Sequence, residues 1–306
     1  GYNQNSEAKK FYFTSTVDHK LTSWLDLGAT MRLRKRNSSG FATYGQALFY
    51  GTPLSKPYDE NGDLIMYPNP QESSVSILAD YVDGQYANDT ENTSMNMVFS
   101  ANVHPLRNLS LHSNFGYTYS DTKKGFFYGS ESFQANGGLN RSGKSGQNSY
   151  TMTWNNTLSY AKQFERHNIN AVAGTEFISN YESSIGASRQ RYDYTNDTFR
   201  YLDFGGTESD IWNSGSGSEW ALMSVFASAT YVYDNRYMIT GNFRADASSR
   251  FASNHAWGFF PSVSAGWKMS EEKFLKNISW LSDLKLRGSW GQLGNQEIDN
   301  YTFMTL

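Results

Sequence analysis

The chain has 306 residues, a formal net charge of −3 and no cysteine, with 21 Tyr, 20 Phe and 8 Trp against only 18% charged residues. A near-neutral balance without a basic stripe gives no nucleic-acid surface, the absence of cysteine excludes a disulfide framework and thiolate metal sites, and no run of about eighteen apolar residues could form a transmembrane helix. Abundant Tyr, Phe, Trp and Thr favour strands, and a low mean hydropathy leaves a membrane barrel open because a barrel strand meets lipid only at alternate positions.

Taken in order, residues 11–17 are β-rich, with Phe11, Phe13 and Ser15 opposite Tyr12 and Thr14. A turn near 20–23 leads into 24–34, where Leu25, Leu27, Ala29, Met31 and Leu33 face away from Asp26, Gly28, Thr30, Arg32 and Arg34. This predicts a hairpin with one apolar stripe. From 37 to about 91 the alternation dissolves into a long loop marked by Pro53, Pro57, Pro68 and Pro70 and by the turn Asp59-Glu-Asn-Gly-Asp63. Strands resume at 94–103 and return through 109–120, where Leu109, Leu111, Phe115, Tyr117 and Tyr119 oppose Ser110, His112, Asn114, Thr118 and Ser120. A Gly/Ser/Asn-rich loop is expected over 123–148, strands over 150–160 and 169–178, a second loop over 182–218, and a strand over 221–233. The last strand turns through Asp234 to Tyr237 into 237–246, followed by 259–269 and 284–290.

About ten strands result, with turns alternately short and long. Tyr231, Tyr233 and Tyr237 surround one short turn, and Tyr117 and Tyr119 stand at the opposite strand end. A one-sided soluble sheet gives the same alternation; the lopsided loops and paired aromatic girdles favour an antiparallel transmembrane β-barrel. The polar face, with Arg32, Arg34, His112, Glu176, Arg244, Asp246, Lys268, Lys285 and Arg287, then points into the lumen, holding a plug or meeting substrate.

No constellation reads as an enzyme, and no cofactor or metal is implied. Gly138-Leu-Asn-Arg-Ser-Gly-Lys-Ser145 fits the phosphate-loop pattern, but lacks the buried strand before it and the helix after it that such a loop needs. Asp59 opens a calcium-like loop whose twelfth position is Pro70, not Glu. The five His lie far apart, without paired metal spacing. The expected loop aromatics Phe126, Phe127, Tyr128 and Trp212 are the candidate substrate-binding residues, able to stack on sugar rings or on a partner.

Ser248-Ser-Arg-Phe251, Trp257-Gly-Phe-Phe-Pro-Ser-Val-Ser-Ala-Gly-Trp267, Ser270-Glu-Glu-Lys-Phe274, Leu281-Ser-Asp-Leu-Lys-Leu-Arg287 and Gly291-Gln-Leu-Gly-Asn-Gln296 resemble, in order and spacing, the SusC/RagA-type TonB-linked outer-membrane transporters. Asp246-Ala247 stands where that family usually has Asp-Gly. The resemblance implies a barrel of about twenty-two strands around an N-terminal plug, in the outer membrane of a Gram-negative bacterium and in contact with its lipid. Residues 1–306 would then be part of the barrel domain, with plug, TonB box and final strands absent. An internal fragment is the reading of a chain that opens without a signal peptide and stops just after Tyr301.

The implied activity is TonB-dependent import of a nutrient, a glycan oligomer before a peptide, beneath a SusD-like surface lipoprotein. A passive or structural barrel and a soluble all-β carbohydrate-binding module are the alternatives.

Overall fold

The computed structural model describes residues 7–40, 56–68, 74–193, 201–206, 210–275, 278 and 280–301. Their strands are β1 (Glu7–Thr22), β2 (Leu25–Ser39), β3 (Tyr86–Leu106), β4 (Leu109–Tyr128), β5 (Arg141–Phe164), β6 (His167–Gln190), β7 (Ile211–Tyr233), β8 (Tyr237–Ser248), β9 (Trp257–Phe259), β10 (Ser262–Lys268) and β11 (Lys285–Gly291). They form a single antiparallel sheet in chain order, with the short β9 paired to β8 beside the main path. Among the described residues β1 and β11 do not meet, so the sheet is open. This is the all-β, up-and-down arrangement that the alternation predicts.

Register shows what the alternation is for. Directly opposed residues share a face, and one row runs Ala29, Phe99, Phe115, Trp154, Phe177, Met223, Ala247 across seven strands. Above it lie Leu33, Met95, Tyr119, Tyr150 and Tyr181. Below it lie His167, Tyr233, Tyr237, Trp267 and Leu286. The stripes predicted strand by strand are therefore one continuous surface. Between Tyr150 and Tyr160 of β5 the intervening residues on that face are Met152, Trp154, Asn156 and Leu158, uncharged throughout. About ten residues is the length a tilted strand needs to cross a bilayer.

This surface is not a core. Phe99, Phe115, Trp154, Phe177 and Met223 are 39–51% exposed, although they are neighbours. A contiguous apolar face of that size is unusual on a protein surrounded by water. The few wholly buried apolar side chains instead include Val75, Ala79, Phe127 and Tyr192, gathered at one end of the sheet.

The ends differ largely as predicted. Turns 23–24, 107–108, 165–166 and 234–236 are tight and share their end with one longer connection, 269–284, whereas 40–85, 129–140, 191–210 and 249–256 join strands at the other end. The loops are shorter than the sequence suggests. β4 continues to Tyr128, β5 begins at Arg141, β6 continues to Gln190 and β7 begins at Ile211, so much of 123–148 and 182–218 is strand. Low strand propensity is overridden because these segments have a partner ladder on each side: Gly143 pairs with both Phe126 and Ser188, and Gly186 with Ser145 and Ser214. At 24 residues, β5 and β6 run roughly 80 Å along the strand, well beyond a bilayer. Of the proline-marked loop, Pro53 and Pro70 lie outside the described residues.

Candidate functional site

On the polar face, beyond the aromatic girdle and toward the long loops, the strand extensions build a groove of about 730 Å³. Its floor is made by register. One row reads Phe126, Gly143, Ser188, Trp212, and the next reads Lys124, Ser145, Gly186, Ser214. Small residues therefore lie between two aromatic walls. Phe126 stacks on Tyr128 at 4.7 Å, and Tyr128 on Tyr86 at 5.4 Å. The Arg141 guanidinium sits 5.2 Å over the Tyr128 ring. Trp212 forms the opposite wall and is 58% exposed. Gly143 is required where it stands, since a Cβ there would lie 2.3 Å from the Phe126 ring. At Gly186 a Cβ would lie 3.7 Å from Trp212.

Phe126, Tyr128 and Trp212 all line this groove. Phe127 does not. Alternation turns it to the opposite face, where it is wholly buried with its ring 6.3 Å from that of Tyr192, edge-on. It anchors a small core at the base of the loops. There Asn140 clasps the Tyr192 backbone in both directions, at 2.8 and 2.9 Å. Beside it, Asp80 accepts from the Phe133 N–H at 2.7 Å. Its other oxygen, Oδ2, has no hydrogen-bond partner, and burial pushes its carboxyl up to about 6. Val75 N–H donates to Asn136 at 2.9 Å, and Gln85 and Glu131 exchange bonds at 3.2 and 3.4 Å. Segment 74–85 is thereby fastened to 129–140.

The polar-face charges named from sequence do share that face, and several are spent within the wall. Arg244 binds Glu176 at 3.0 Å, Asp246 at 2.7 Å and Ser224 at 2.8 Å. Arg32 reaches Asn96 at 3.3 Å and His112 meets Asn102 at 2.6 Å. At the tight-turn end, Glu272 accepts from Tyr237 at 2.6 Å, Trp267 at 3.1 Å and Arg236 at 3.3 Å. Those bonds, the one from Tyr237 first, hold its carboxyl below the usual range.

The other sequence motifs are structural. Arg141 to Ser145 of the phosphate-loop pattern is strand β5. Asp59 Oδ1 accepts from the N–H of Asn61 at 2.8 Å and of Asp63 at 2.9 Å, a self-contained turn. Lys124, Arg141 and Tyr86 were not singled out by sequence reasoning. Extending the even-numbered face of 109–120 by four more positions reaches Thr122, Lys124, Phe126 and Tyr128, which is the signal that finds the first.

A profile described as TonB dependent receptor-like, beta-barrel matches residues 23–303. The chain is 26% identical over 305 residues to TonB-dependent receptor P3 of Formosa agariphila, covering 97% of this chain and 30% of that protein. It is 30% identical over 241 residues to TonB-dependent receptor SusC of Bacteroides thetaiotaomicron, covering 78% of this chain and 23% of that one. The structure of the RagAB peptide transporter superposes with a TM-score of 0.80 at 25% identity, over 97% of this chain and 34% of that chain. The chain thus spans about a third or less of the length of these relatives.

Proposed function

The chain belongs to the TonB-dependent receptor β-barrel family, and on that premise we propose that it forms wall and loop-side rim of an energised outer-membrane importer. Residues 1–306 are then part of the barrel domain, while the strands that close it, the plug and the TonB-binding segment belong to the rest of the full-length protein. The apolar face meets outer-membrane lipid of a Gram-negative bacterium, and the polar face lines the lumen. The long-loop end faces outward, where a SusD-like lipoprotein closes over substrate, and TonB acts from the periplasm.

The observation that carries the reading is the position of the groove: on the polar face, past the aromatic girdle, with Phe126, Tyr128 and Trp212 as walls. A solute held there is already inside the barrel mouth. RagAB is a peptide transporter by name; for this chain the ring-stacking walls favour an oligosaccharide over a peptide. The continuous apolar face counts against a soluble carbohydrate-binding module.

Uptake of a labelled oligosaccharide by cells carrying the full-length protein tests this. Trp212→Ala with Phe126→Ala is expected to reduce uptake about tenfold or more, and a protonophore to abolish it. Uptake that persists with the proton gradient collapsed would make the barrel a passive pore.

A further inference from the structure

The groove's charge is one-sided. Lys124 and Arg141 turn into it, and no carboxylate lines it among the described residues. Several cations elsewhere on this sheet have an acidic partner: Lys35 has Glu91 at 3.2 Å, Lys123 has Asp121 at 3.6 Å, and Arg244 has Glu176 and Asp246. Lys124 and Arg141 form no ion pair among the described residues, and Arg141 Nε has no hydrogen-bond partner. Lys144, one residue before Ser145, turns to the opposite face, its ammonium 5.1 Å from the Tyr201 ring. The nearest carboxylate toward the bilayer on this face, Glu182, is occupied by Gln147.

From this we infer that the groove takes an anionic oligosaccharide, a chain bearing carboxylate or sulfate groups; the inference rests on the reading of the groove as a substrate site. Two aromatic walls three strand spacings apart, about 14 Å, suit sugar rings lying across a Gly/Ser floor. Serine hydroxyls at Ser145, Ser188 and Ser214 face ring hydroxyls. Lys124 lies one row from Phe126, and Arg141 stands opposite Tyr128, so a stacked ring carries its acidic substituent to a cation. A guanidinium over an aromatic ring still has donors to offer a planar or tetrahedral anion. An acidic peptide meets the cations equally well but leaves the exposed ring faces unused.

Calorimetry on the full-length protein in detergent tests the inference, with tetragalacturonate, a carrageenan tetrasaccharide, maltotetraose and tetraglutamate as probes. At least one of the two acidic saccharides is expected to bind, the stronger one revealing whether carboxylate or sulfate is read. Lys124→Gln with Arg141→Gln should weaken it about tenfold or more, and rising salt should weaken it further. Lys124→Arg with Arg141 unchanged should keep most of the affinity, and unchanged heat-modifiable migration on gels would show that each variant is folded. Maltotetraose bound as tightly, and indifferent to the charge variants, overturns the anionic inference; if Trp212→Ala still weakens it, the groove remains a substrate site. Tetraglutamate bound more tightly than either saccharide overturns the substrate class. Failure of both acidic saccharides at millimolar concentration overturns the inference, and if Trp212→Ala also leaves uptake unchanged, the site reading falls with it.

Discussion

Phe126 and Gly143 form a pair in which one side chain is accommodated by the absence of the other. Gly143→Ala places a Cβ 2.3 Å from the Phe126 ring and 3.0 Å from Ser188 Cβ, so the ring must swing out of the wall. The expected cost is about 1–3 kcal/mol. Phe126→Ala in the same chain should relieve most of it, a coupling that a double-mutant cycle measures directly; strictly additive effects would contradict the packing described.

Two carboxyls outside the spanning segments carry opposite pH signatures. Asp80, raised from 3.8 to about 6 by burial, holds a proton in the folded loop that it lacks when unfolded. Its contribution is therefore complete below about 4 and declines as pH rises through 6. Glu272 is lowered from 4.5, so its contribution is present above that value and lost as pH falls below it. Hydrogen exchange of 129–137 should slow on acidification from pH 7 to 5 and become pH-independent, beyond intrinsic chemistry, in Asp80→Asn. Exchange in 269–275 should be steady over that range and quicken only on acidification below about 4.5, and Glu272→Gln should remove that response.

At the scale of elements, lipid-facing and lumen-facing positions alternate along each strand, which gives paired substitutions opposite consequences. Phe115→Arg, in the middle row of the apolar face, is expected to cost about 2–4 kcal/mol when folding is measured in lipid vesicles. Asn114→Arg, one residue earlier on the polar face, should cost under about 1 kcal/mol. Equal costs would mean that the faces have been misassigned.

The same alternation explains what could be read from sequence. It was plain in 24–34 and 109–120, where each face has one chemistry, so strand order and apolar stripes were legible. It vanished in 141–149 and 182–190, where Gly, Ser and Asn occupy both faces and neighbouring ladders, not local preference, hold the chain extended. The groove lies largely in those extensions. Its aromatic walls were visible as residues, yet Phe127 could not be separated from Phe126 and Tyr128 without knowing that β4 runs through all three. The lining cations Lys124 and Arg141 likewise became meaningful only through register.

On the scale of the whole molecule, the open sheet has an apolar belt with aromatic edges, a polar face on which Arg244 is neutralised by Glu176 and Asp246, and strand extensions that carry a cationic, aromatic-walled groove beyond the belt. Each is explained if the chain is barrel wall and if the bilayer ends where the tyrosines do. Everything proposed about the groove depends on that placement. It is tested most directly by nitroxide scanning of residues 109–128 in the full-length protein in bilayers, a label scheme helped by the absence of cysteine from this chain. Odd positions from 109 to 119 should be open to oxygen and closed to a polar nickel chelate, even positions should show the reverse, and from 121 to 126 the chelate should reach both faces, with Phe127 shielded in the loop core. Lipid accessibility without alternation, or continuing past 121 to Phe127, would contradict the account.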